Sequence, residues 1–286
     1  MASPIKNIPR AYKLFRSPQS NRKICHIPPP PLANVPVKVD LSPDMPPALD
    51  QLQLGSCASN AASNVLRYLQ KKENLPEIQP SRLYLYWNTR VNIEGSPPTE
   101  DTGVCLRDIC LSIKEYLACD ETIWPYDITK FSQGPPLEAY KKASLSSFVK
   151  YASVPQDLNC IKAVLSTGYP ILIAIQVYES FETLEVAKSG QVPIPNQYRE
   201  KSLGWHAIIL TGYDDETSVF TCMNSWGQWG ANGFCKIPYS YILDNNLAGD
   251  FWVIMLTKKR DYIIEEIEEV EEVEEVEESE CNVDDL

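Results

Sequence analysis

Apolar positions along the chain keep two different periods, and the change falls near residue 145. In "SCASNAASNVLRYLQKK", residues 56–72, Ala61, Val65, Leu66 and Leu69 recur three or four apart, and the spacing predicts a helix. Two further helices are predicted over "SRLYLYWNTR", opened by Ser81 as a cap, and over "LRDICLSIKEYL". Beyond 145 the runs become short and continuous. "FVKYASVP" and "YPILIAIQVY" predict strands, with "DLNCIKAVLSTG" between them a helix closed by Gly168. "HAIILTGYDD", "SVFTCMNSW", "GFCKIPY" and "DFWVIML" are four more strand-length runs, separated by Gly, Asp and Asn. A helical half followed by a β-rich half implies an α+β fold in two lobes, about 37–140 and 141–256, with a cleft between them.

The two ends of the chain break both periods. Residues 1–36 carry six basic residues and no acid, and approach the body through Pro28–Pro31, a polyproline spacer. They read as an irregular arm, solvated along its length. In 257–286 a valine or isoleucine recurs every third residue, at 267, 270, 273 and 276. That step slips about 60° around a helix per repeat, so no apolar stripe forms. With 14 acids and no base in 261–286, the tail is expected to be disordered. Two readings stand for these ends. They are solvating extensions, or they are regulatory or partner-binding, with the arm lying over the cleft and the acidic tail holding it there or taking a basic protein.

Charge and cysteine content then narrow the class. The net charge of −12 is concentrated in the tail; the body from 37 to 260 holds 20 basic and 24 acidic residues. It has no basic bias of the kind that nucleic acid selects. The nine cysteines include no C-x-x-C pair, so a zinc ribbon or finger is not expected, and no metal or other cofactor is. No apolar h-region follows the basic N-terminal residues, and no apolar run is long enough to span a bilayer. The expectation is an intracellular protein with reduced thiols, cytoplasmic or carried in a virion.

Three short segments carry candidate chemistry. "QLQLGSCASNA" sets Cys57 at the mouth of a helix, where unpaired N–H groups stabilise a thiolate. The competing reading is a small buried hydrophobe. The chain has two histidines, and His26 lies in the arm. His206, at the head of a predicted strand, is the better-held base, unless it is a buried structural imidazole. In "MNSWGQWGANGF", Asn224 offers an amide that can fix an imidazole and Trp226 an indole that can shield it. A glycine-rich hairpin with a core tryptophan is the alternative.

Taken together and in this order, these segments resemble the papain-like cysteine peptidases of the cathepsin superfamily. "DQLQLGSCASNA" is similar to the nucleophile segment, with Gln51 in the place of a glutamine six residues ahead; "GWHAIILTGYDD" resembles the histidine segment and "NSWGQWGANGF" the asparagine segment. His206 lies 149 residues after Cys57 and Asn224 lies 167 after it. Typical spacing is roughly 130–150, so the asparagine falls late. "VDLSPDMPP", "PSRLYLYWNTR", "EDTGVCLRD" and "IWPYDI" resemble flanking pieces of the short bacterial, archaeal and large-DNA-virus branch.

The resemblance implies a two-lobe papain-like fold over 37–256, with a helical left lobe and a β-barrel-like right lobe. It implies a cysteine endopeptidase acting on polypeptides. Cys57 would be the nucleophile, held as thiolate against a His206 imidazolium, and His206 the base and acid. Asn224 would be the orienter, Trp226 its shield, Gln51 an oxyanion donor and Gly103 a bare-backbone contact for substrate. Leu54 and Ala58 stand where the family usually has a cysteine and an aromatic, so the signature disulfide has no partner there. The arm is also shorter than a helical inhibitory propeptide. Other acyl transfer, deamidation, or binding by a scaffold without catalysis are the alternatives; an aspartate orienter is more usual for the first two.

Overall fold

The computed structural model describes residues 10–17 and 35–257. Cys25, His26, Pro28–Pro31 and the acidic stretch beyond Thr257 lie outside these residues. The described chain runs β1 (Lys38–Asp40), α1 (Cys57–Lys72), α2 (Arg82–Trp87), α3 (Leu106–Tyr116), α4 (Leu137–Lys142), β2 (Phe148–Ser153), α5 (Leu158–Ser166), β3 (Ile171–Tyr178), α6 (Leu184–Ser189), β4 (Ser202–Asp214), β5 (Val219–Met223), β6 (Phe234–Pro238) and β7 (Ala248–Thr257). Ser81 caps α2 by accepting from the Tyr84 N–H, and the helix continues as a π-turn through Asn88–Ile93.

One antiparallel sheet, in the order β2-β7-β3-β4-β5-β6, separates two apolar cores. Leu172 and Ala174 of β3, Ala207 and Ile209 of β4, and Trp252, Ile254 and Leu256 of β7 face the α1–α3 helices. Their neighbours Ile173, Ile175, Ile208, Leu210 and Val253 face the other way, toward α5 and α6. Burial of both faces is why these strands read as unbroken apolar runs instead of alternating ones.

Two expectations are corrected here. The sheet does not close into a barrel among the described residues. β4 spends one edge on β5 and divides the other between β3, along 202–210, and β1, along 212–214, which leaves β2 and β6 as edges. His206 does not open its strand either: β4 begins at Ser202, and His206 pairs with Ile175 of β3 in the strand interior.

Candidate active site

Residues Asp50 and Gln51 link the helical side to the far end of the sheet. The Gln51 N–H donates to the Ser225 carbonyl (2.9 Å), and Gly227 N–H donates to that of Leu49 (3.0 Å). A short backbone ladder thereby fixes the loop before α1 against the loop after β5. Within it, Gln51 Oε1 accepts from Ser225 Oγ (2.7 Å) and Gln51 Nε2 donates to the Leu54 carbonyl (3.1 Å). One N–H of that amide is used and a second remains.

Cys57 is the first residue of α1 and wholly buried. The backbone N–H groups of Ala207, Ala58 and Cys57 itself face its sulfur. The Ala207 amide follows His206 directly, so β4 brings the histidine segment against the thiol. His206 Nε2 lies 2.8 Å from Asn224 Oδ1, which also accepts the Ser225 N–H (2.8 Å). Nδ1 of His206 is buried with no hydrogen-bond partner among the described residues. Trp226 stacks on the imidazole, centroids 5.0 Å apart and planes 29° from parallel, and is braced edge-on by Phe181 at 5.5 Å. Gln51, Cys57, His206, Asn224 and Trp226 thus form one cluster.

The cleft beside this cluster is filled by the chain's own arm, and full solvation does not describe residues 10–17. Arg10 pairs with Asp50 (3.1 Å) and lies over the Trp226 ring. Tyr12 sets its ring edge-on to His206, centroids 5.9 Å apart, and its hydroxyl donates to Glu182. Lys13 pairs with Asp101 (3.0 Å), and Leu14, 4% exposed, forms an antiparallel bridge with Trp205. Ser17 donates through N and Oγ to Asp250 Oδ2 at 3.0 and 2.8 Å. The arm backbone presses on Gly103: a Cβ there would fall 1.8 Å from the Lys13 carbonyl oxygen, at φ +77°. Gly103 therefore lines the strip of cleft that the arm occupies.

Burial works against charge on both reacting groups. It pushes the Cys57 thiol up to about 11, against the backbone N–H groups that pull it down. It drives the His206 imidazole down to about 4, with the Asn224 hydrogen bond opposing and the Arg10 charge adding to the fall. Burial thus favours the thiol and the neutral imidazole over the charged pair in this covered arrangement.

A pH dependence follows from these shifts. The His206 contribution to folding stability is present above the ordinary 6.5 and is lost as pH falls toward about 4. That of Cys57 is present below the ordinary 9 and is lost as pH rises through about 11. Their joint contribution is thus expected to be greatest between about 6.5 and 9. The melting temperature of the chain should fall between about pH 7 and about pH 4 by more than that of a His206→Phe variant; an equal fall in both would disprove the coupling.

Among the described residues, Glu94, Cys105 and Asp108 bring one ligand atom each within 4.8 Å of one another. Glu94 is pushed up to about 8 by burial, and its Oε1 accepts the Cys105 N–H. Three donors are one short of a closed structural zinc site, and they belong to a separate part of the helical side. The seven described cysteines are all free. No helix among the described residues is long and apolar enough to cross a membrane.

The arm's place over the cleft is an expectation of the sequence, but its partners Asp50, Asp101 and Glu182 are not, because isolated acids elsewhere in the chain are their only signal. Sheet, cross-lobe ladder and buried Cys–His–Asn cluster together define the class of a two-lobe thiol hydrolase. Residues 101–247 match the profile described as papain family cysteine protease. An uncharacterised peptidase C1-like protein of Acanthamoeba polyphaga mimivirus is 39% identical over 216 residues, 72% of this chain and 68% of that protein. Gamete and mating-type specific protein A of Dictyostelium discoideum is 29% identical over 213 residues, 73% of this chain and 43% of its own length. Xylellain, a cysteine protease from Xylella fastidiosa, superposes with a TM-score of 0.79 at 31% identity, covering 86% of this chain and 96% of that one. A digestive procathepsin L 3 of Tenebrio molitor shares the fold at TM-score 0.60 and 18% identity, over 86% of this chain and 75% of its own. The chain belongs to the papain family of cysteine proteases. It is a cysteine peptidase, and its substrates are polypeptides.

Proposed function

We propose that this peptidase is an endopeptidase working through an acyl-enzyme on Cys57, with His206 as its base and acid. The observation that carries this is the Asn224–His206 hydrogen bond at 2.8 Å, which holds the ring by Nε2 and leaves Nδ1 unpartnered beside the segment touching the sulfur. With the cleft open and wet, Nδ1 takes the thiol proton and the thiolate attacks the peptide carbonyl carbon. The Cys57 N–H and the spare Gln51 Nε2 proton receive the developing oxyanion. His206 hands its proton to the leaving amine, then removes one from water as that water attacks the thioester. The products are a carboxylic acid, an amine and the regenerated thiol.

Cleavage within a chain is supported by the course of the cleft. Eight arm residues cross it, from Asp50 at one end to Asp250 at the other, with Gly103 as the bare-backbone contact. A site that admits chain on both sides of the nucleophile suits internal peptide bonds. Gln51→Ala is expected to lower kcat by roughly 10²–10³ with little change in KM, the size of one lost oxyanion donor. A raised KM at unchanged kcat would make Gln51 a binding residue. Asn224→Ala should cost less than loss of Cys57 or His206, because the reacting pair survives it; transfer to an added amine in place of water would favour the acyl-transferase alternative.

A further inference from the structure

The walls that hold the arm face a substrate once the arm leaves, and one side chain on them is unusually well prepared. Both carboxylate oxygens of Asp101 accept the Gly55 N–H, at 3.2 and 3.1 Å, and one also accepts the Tyr86 hydroxyl at 2.5 Å. The carboxylate is therefore fixed before any ligand arrives, with a face turned to the cleft that Lys13 Nζ now meets at 3.0 Å. Its side chain is 14% exposed and that of Lys13 45%, so the ordering cost of the pair falls on the ligand alone. Gly55 and Gly103 lie beside it; a Cβ on Gly103 would collide with the Lys13 backbone, and one on Gly55 would crowd the Lys13 side chain and the Asp101 carboxylate. One residue along, Leu14 is sunk in the core that faces α1. Asp50 and Asp250 add negative charge farther along the same cleft.

We infer that Asp101 is a specificity residue, which selects a basic side chain in the polypeptide, next to an apolar residue seated where Leu14 now sits. The inference rests on the peptidase reading of this cleft. An acidic side chain at the same place would meet a fixed like charge, so the selection works by repulsion as well as attraction. The arm itself is the first ligand of this kind.

The test uses the full-length chain with Leu14→Asp to open the cleft, or with 10–17 replaced by glycine and serine should that variant stay closed. Two peptides are compared that differ in one charge: one contains leucine beside lysine, the other leucine beside Nε-acetyl-lysine, each made in both residue orders. The readout is the peptide concentration that halves iodoacetamide modification of Cys57, mapped by mass spectrometry, which reports occupancy without requiring turnover. The lysine peptide is expected to protect at a roughly tenfold lower concentration, as for a close, partly desolvated charge pair. Asp101→Asn keeps an acceptor for Gly55 and Tyr86 and should remove that difference while protection by the acetylated peptide persists. Equal protection by the two peptides, including none by either, or a preference that survives Asp101→Asn, overturns the assignment. Hydrolysis is followed in the same samples: lysine-dependent protection without hydrolysis would refute the catalytic reading and leave the assignment in place.

Discussion

Cys57→Ser and His206→Ala, each made in an open-cleft background, are expected to reduce peptide hydrolysis by roughly 10⁴–10⁶-fold. Members of a unit that exchanges one proton are not additive, so the double variant should be little worse than either single one. Cys57→Ser exchanges one atom in a wholly buried position at the head of α1 and should leave thermal unfolding nearly unchanged. His206→Ala also removes the ring on which Trp226 stacks, so some loss of stability is expected there. Steady-state assays paired with melting curves separate the two effects. A serine variant retaining more than a tenth of the turnover would mean that the nucleophile is another residue.

The second large effect concerns the arm. Leu14→Asp in the full-length chain is expected to raise both the rate of Cys57 alkylation and peptide hydrolysis, by roughly 10–100-fold. Burial of a leucine contributes about 1.5–3 kcal/mol, and each 1.4 kcal/mol shifts the closed–open balance tenfold. An aspartate in its place adds a charge that the apolar core does not satisfy. Opening also readmits water to the thiol and imidazole, removing the desolvation that keeps both neutral. Alkylation and hydrolysis at the wild-type rates would show that residues 10–17 do not control access.

What the sequence disclosed follows from how each feature is encoded. α1, α3, β3 and β7 were readable because each buries a whole face or both faces, which leaves a periodic or continuous apolar record. The candidate cluster was readable for a chemical reason: two histidines leave little choice of base, and Cys57 and Asn224 sit in short segments of unusual composition. Three features left no such record. β1 is three residues long and is defined by its pairing with Gly212–Asp214, far along the chain. Whether the sheet closes depends on how β4 shares its edges, which no local pattern encodes. The arm "RAYKLFRS" has one buried leucine, and its carboxylate partners Asp50, Asp101, Glu182 and Asp250 lie 40 to 233 residues away. Only the fold brings those carboxylates to one cleft. The pull of burial on Cys57 and His206 leaves no local record either, since helix position argues for a thiolate while burial by the whole fold favours the neutral forms.

Two of the three described arm cations pair with carboxylates of the body, Arg10 with Asp50 and Lys13 with Asp101; the third, Arg16, lies over the Trp205 ring and donates to the Asn245 carbonyl. These contacts give residues 10–17 a docking site on the body.

The thioester is the central claim, and acid-quenched mass spectrometry of the open-cleft chain tests it most directly. The chain is mixed with an N-acyl peptide ester in ¹⁸O-water and quenched within the first turnover. The account predicts a mass increase equal to the acyl group, located by digestion to Cys57, and a released acid carrying one ¹⁸O. An unmodified chain while product accumulates, an acyl group on any other cysteine, or product without the label would contradict it.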